Sequence, residues 1–154
     1  MAADPLDDLA GWAGPLLARL TPQRRRQLMA EISTTLRQSQ AARIAAQRNP
    51  DGSAYEARKP RTIRRRKGAI RRGMFERLRT ARFLKKSATA DRATVAIDPR
   101  AARIARVHQY GLRDSVDWRR AGSPTVRYAR RELLGLSDAD VQAIEALLVG
   151  ALGA

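Results

Sequence analysis

At 154 residues the chain is about one domain long. Its net charge is +16, and with no cysteine and one histidine it offers no basis for disulfides, thiolate metal sites or a histidine-rich metal centre. No run approaches the ~18–20 apolar residues of a membrane-crossing helix, and Asp4, Asp7 and Asp8 stand where a secretory signal would be basic. Much of the 44% hydrophobic fraction is alanine; with only two Phe, two Trp and three Tyr, we expect a thin core that neighbouring subunits complete.

The charge is unevenly placed. Acids outnumber bases in residues 1–20 and again in 136–154, whereas residues 21–72 hold fifteen Arg and Lys against three acids. Such polarity points to an acidic partner or nucleic acid, and it speaks to partners rather than to fold.

Residues 4–20 read as an amphipathic helix, with Asp4 as N-cap, Pro5 at the first helical position and leucines at three- and four-residue steps. Gly11, Gly14 and Pro15 predict a break or kink in its middle. Thr21-Pro22 opens a second helix to about Gln47, rich in Ala, Arg, Gln and Leu. Leu28, Met29, Ile32 and Leu36 form its apolar face, extended by Ser39 and Ala42, and Ile44 drifts to another side. Arg24, Arg25 and Arg26 crowd its first turn against the helix dipole, which suggests that they serve a contact.

Asn49-Pro50-Asp51-Gly52-Ser53 is a turn. From Tyr55 to Arg72 the chain is dense in Arg and Lys and nearly devoid of apolar residues, so we expect residues 49–72 to form a basic, mobile segment. Arg58, Lys59, Arg61, Arg64, Arg65, Arg66, Lys67, Arg71 and Arg72 are its candidate partner or DNA contacts. Aromatic interleaving is limited to Tyr55. Met74 to Arg82 begins helically, with Phe75 and Leu78 three apart. Residues 81–97 read as a β-hairpin around a turn at Ala90-Asp91-Arg92.

Ala101–Tyr110 is a short helix with Ile104, Val107 and His108 on one face and Gly111 as its stop. Residues 112–124 read as a mobile polar loop, and the stretch near 125–132 as a strand that could join the sheet. Ser137-Asp138-Ala139-Asp140 is a capping signal with Asp in place of Glu or Gln, and Val141, Ile144, Leu148 and Ala151 follow at helical spacing. The fold class is therefore α+β. A long N-terminal helix and a C-terminal helix pack on a small, mainly antiparallel sheet with a central β-hairpin. We expect one domain over 1–154, divided into a helical region (1–48), the basic segment (49–72) and an α+β core (73–154).

Catalytic constellations are missing. His108 has no cysteine or second histidine for a metal and no nucleophile motif beside it, so it reads as a helix-end histidine bonded to backbone. The chain has no Walker A loop and no GxGxxG, and its acids are scattered. We expect a non-enzyme without cofactors.

Five fragments in order carry a resemblance. They are the turn Asn49-Pro50-Asp51-Gly52 with Tyr55, the basic stretch, Met74–Ile97, the element His108-Gln109-Tyr110-Gly111, and Arg131-x-Leu133-Leu134-Gly135-Leu136-Ser137. Together they resemble the phage virion morphogenesis (tail completion) family over most of the chain. The resemblance implies a structural protein of the tail's head-proximal end, assembled in the bacterial host cytoplasm and carried in the virion. It also implies a homo-oligomeric ring, commonly sixfold, in contact with other tail and neck or connector proteins. DNA threading the neck is a further candidate partner. An infectious phage or a prophage-derived particle would use the same part. The alternative from a different class is a basic nucleic-acid-binding protein using residues 58–72.

Overall fold

The computed structural model describes residues 5–58 and 73–153. Its elements in order are α1 (Pro5–Leu17), α2 (Pro22–Ala45), β1 (Leu84–Ala88), β2 (Ala93–Ile97), α3 (Pro99–Tyr110), β3 (Arg113–Ser115), β4 (Thr125–Arg127) and α4 (Asp138–Leu152). The expected N-cap Asp4 lies outside the described residues.

Helix α2 is the spine. Thr21 caps it, its hydroxyl accepting the Arg24 N–H at 3.2 Å, and Pro22 fills the first turn. The N-terminal half contributes Leu28, Met29 and Ile32 to one apolar cluster, which Ala13 of α1 and Ile144, Leu148 and Ala151 of α4 complete. The C-terminal end contributes Ile44 to a second cluster with Tyr55, Leu78, Ala101, Ala105 and Leu133. The drift of Ile44 off the first face is thus the point where the helix passes from one core to the other. Ser33 and Gln40 are buried where the sequence suggested Ser39 and Ala42.

Helix α1 runs unbroken through Gly11 and Gly14 and ends two residues after Pro15, without the expected break. Packing outweighs propensity here, because Ala13 is buried and Leu9 and Leu17 lie against the first cluster. Of the three arginines in the first turn of α2, Arg24 bonds Gln27 and Arg25 reaches Asp91 at 3.3 Å in the β1–β2 turn.

Strands β1 and β2 pair antiparallel, Leu84 opposite Ile97 and Ala88 opposite Ala93, around the turn at 89–92. The hairpin lies on α2, where Arg37 Nε donates to Leu84 O at 2.8 Å and Lys86 Nζ to Thr34 Oγ1 at 2.6 Å. The strand expected near 125–132 does not extend this sheet. It shortens to β4, pairs with β3 and forms a second two-stranded ladder, Arg113 opposite Arg127.

The helical start at Met74 is also replaced. Phe75 has φ +63° and residues 74–83 form successive turns, which turn its ring towards Tyr55 and His108. In α3 the buried positions are Ala101, Ala105 and Val107, while Ile104 is 54% exposed. A thin, alanine-lined face lets α3 sit close to its neighbours. Gly111 stops α3 in the left-handed conformation (φ +63°), and Leu112 N–H returns to Val107 O at 2.9 Å.

Candidate functional site

Three fragments far apart in sequence meet around residues 129–135. From the first, Asn49 Oδ1 accepts the Glu132 N–H at 2.9 Å, and Tyr55 donates its hydroxyl to Glu132 O at 3.1 Å. From the second, Gln109 uses both ends of its amide. Its Oε1 accepts the N–H groups of Leu133 and Leu134 at 2.9 and 3.0 Å, and its Nε2 donates to Leu134 O at 2.8 Å. Residues 132–134 make none of the regular strand or helix bonds, so these side chains supply the partners that buried backbone requires.

The Asn49–Ser53 turn is itself rigidly held. Asp51 Oδ1 accepts both the N–H and the hydroxyl of Ser53, which pulls its carboxyl below the usual range, and Gly52 takes φ +85°. Pro50 lies so close to Gly135 that a Cβ there would stand 2.6 Å from the proline ring. Only glycine fits this approach, which also requires φ +153°.

Arg131 ties the third fragment to the first. It is 5% exposed, and it donates from Nε to Glu56 O (2.7 Å) and from Nη2 to Ala57 O (3.1 Å). Its Nη1 stands 3.1 Å from His108 Nδ1. A guanidinium can only donate, so His108 accepts there and carries its proton on Nε2. Burial lowers the His108 pKa, Arg131 lowers it further, and a hydrogen bond to the Ala129 backbone opposes both. The imidazole is edge-on to Phe75 (4.8 Å) and Tyr128 (5.2 Å). His108 is thus held by an arginine and two rings, beyond the backbone bond expected from sequence. Burial likewise pushes the Tyr55 hydroxyl up to about 12.

Asn49, Pro50, Asp51, Gly52, His108, Gln109, Arg131 and Gly135 are therefore brought together. Tyr110 is not, being 62% exposed, and Leu134 is half-buried while its neighbour Leu133 fills the core. Gly111 caps α3 beside Arg130. Of the basic residues, Arg58 donates to Gly73 O at 3.3 Å, which places the two described ends of the chain side by side. Lys59, Arg61, Arg64, Arg65, Arg66, Lys67, Arg71 and Arg72 lie outside the described residues. Residues 49–58 are tied into this cluster rather than standing apart from the body.

Sequence reasoning missed Gln47 and Arg43. Gln47 adopts φ +57° at the end of α2 and grips Met74, accepting its N–H at 2.7 Å and donating to its carbonyl at 2.9 Å. A glutamine in the place of a helix-ending glycine was the available signal. Arg43, half-buried and with its pKa lowered by desolvation, meets Asp140 at 3.5 Å and Leu133 O at 3.3 Å. Asp140 also completes the capping box of α4 with Ser137. A buried acid in the place of Glu or Gln marks that extra duty.

The arrangement holds backbone and exposes no reactive pair. Among the described residues no group of three His, Cys, Asp or Glu could hold a metal ion, and no helix is long and apolar enough to cross a membrane. The exposed apolar side chains lie elsewhere. On α3 and the β3–β4 ladder they are Ile104, Leu112, Val116, Val126 and Trp118, the last 60% exposed with Arg103 and Arg119 over its ring at 5.5 and 5.2 Å.

The sequence model of the phage virion morphogenesis family matches residues 4–153, nearly the whole chain and every fragment of the cluster. The chain belongs to that family. It is 38% identical over 138 residues to the tail completion protein S of Escherichia phage P2, covering 89% of this chain and 90% of that protein. No solved structure matches significantly.

Proposed function

We propose that this protein is a structural component of a phage-type tail, acting in tail completion at the head-proximal end by oligomerisation and contacts with other tail and neck proteins. The observation that carries the reading is the end-to-end similarity to the phage P2 tail completion protein. The chemistry of the chain is compatible with it. The polar side chains of the clustered fragments bond backbone, which favours a scaffold over an enzyme, and the exposed apolar and arginine-rich surface favours protein contacts. The protein is then a virion part, made in the bacterial host, and its working form is a closed homo-oligomeric ring.

Light scattering and negative-stain imaging of the purified protein, alone and with tail tubes, test this. Assemblies of several chains that attach to one end of the tubes are expected. A 17.1 kDa species that never associates with tubes contradicts the reading.

The run from Arg58 to Arg72 supports a second activity, contact with DNA passing the neck. Duplex binding that weakens steeply with salt, and that falls when Arg64, Arg65, Arg66 and Lys67 are neutralised, is the expected result. Binding unchanged by those substitutions removes the run from the account.

A further inference from the structure

Helices α1 and α4 are set apart by charge in a chain of net +16. They carry Asp7, Asp8, Asp138, Asp140 and Glu145 and contain no Lys or Arg. Asp140 turns inward to Arg43, and the other four acids are exposed. On α1, Asp8 and Trp12 stand four residues apart and so share a face. Trp12 is 46% exposed, although the adjoining Ala13 is buried in the core. The helix thus presents an indole beside a carboxylate.

The complementary chemistry lies between α3 and β3. A groove of about 350 Å³ there has apolar walls from Ala102, Val107 and Leu112. Its charged lining includes Arg106 and Arg113, both exposed and, among the described residues, without an acidic partner. Arg103 and Asp114, also in the lining, satisfy one another at 2.5 and 3.1 Å, which raises the arginine pKa and lowers that of the acid.

We propose that this groove receives Trp12 of a second copy of the chain, with that copy's Asp8 against Arg106 and Arg113. The proposal rests on the assembly reading above and names the surfaces that make the assembly. An aromatic anchor laid into an apolar-walled groove flanked by arginines, and covered when the two copies close over it, is the composition of an energetically dominant contact. Copies of net +16 repel at a distance, so the orientation of approach that costs least brings the acidic helices of one to the basic face of the next. Since the two patches differ and lie on one chain, the contact is heterologous and repeats head to tail, which closes into a ring when the rotation permits.

Two variants and their mixture test the contact. Asp8→Ala with Trp12→Ala removes the inserting patch and keeps the groove. Arg106→Glu with Arg113→Glu does the converse. All four positions are exposed, and circular dichroism verifies that each variant keeps its fold. The wild type is expected to assemble, while each variant alone falls to a 17.1 kDa species or associates at least about tenfold more weakly. Mixed in equal amounts, the variants are expected to pair into dimers and stop, because each keeps one intact patch. A wild-type ring unaffected by either variant overturns this contact and leaves the assembly reading standing. Variants that dissociate but do not pair on mixing also overturn it. Loss of duplex-DNA binding by the groove variant with its mass unchanged assigns the groove to nucleic acid instead. A wild type that neither self-associates nor binds tail tubes overturns both.

Discussion

Arg131 directs its guanidinium at two carbonyls and one ring nitrogen, all within 3.1 Å. Removing it takes a hydrogen-bond partner from each of these part-buried acceptors, at about 1–3 kcal/mol for a group that water does not then reach. Because such losses within one cluster are not additive, Arg131→Ala is expected to cost about 3 kcal/mol in urea denaturation. Arg131→Lys should recover only a minor part, since an ammonium cannot reproduce the planar fork. An unchanged urea midpoint for either would show that the cluster contributes nothing to stability. His108 gives the same site a pH signature. Its native pKa lies below the ordinary 6.5, so the unfolded chain binds the proton more readily. Stability is then fully present above pH 6.5 and declines as pH falls from there towards the native value. The chain has no other histidine, and the lowered carboxyls of Asp51 and Asp114 act only below their ordinary 3.8. Denaturation midpoints between pH 5 and 7.5 should fall on acidification in the wild type and stay level in His108→Gln.

At the scale of elements, the capped helices were legible in the sequence because their signals are local. Thr21-Pro22 and Ser137 with Asp140 each place a side-chain acceptor on the first-turn N–H groups, and Asp98-Pro99 does the same for α3, which begins two residues before the expected Ala101. The β1–β2 hairpin was legible for the same reason. The failures lie where a distant residue decides. The ring of Phe75 between Tyr55 and His108 replaces a helical turn, and the β3–β4 ladder depends on a pairing across ten residues that alternation does not mark. The cluster itself was legible only as separate fragments, since nothing in Asn49 or Gln109 announces that both bond residues 132–134. Two glycines separate close approach from backbone conformation. Gly135→Ala brings a Cβ to 2.6 Å from Pro50 and is expected to cost about 3 kcal/mol, whereas Gly52→Ala meets open space and pays only for positive φ, about 1–2 kcal/mol. Ser137→Ala, which opens the capping box, should cost about 1 kcal/mol. Thermal melts of the three variants give the order, and equal losses at the two glycines would contradict the role given to Pro50.

For the whole molecule, the thin core expected from composition takes the form of two small clusters joined by α2, each completed by residues distant in sequence. The apolar residues left outside them, Trp12, Ile104 and Trp118 among them, lie on surfaces that an assembly can cover. In this member of the virion morphogenesis family the polar side chains of the clustered fragments bond backbone. Where it sits in the particle is therefore the most direct measure of the account. In purified particles carrying a tagged copy of this protein, gold label imaged by electron microscopy is expected at one end of each tail, the end that meets the head. Label spread along the tube, placed at the opposite end, or absent from finished particles would contradict it.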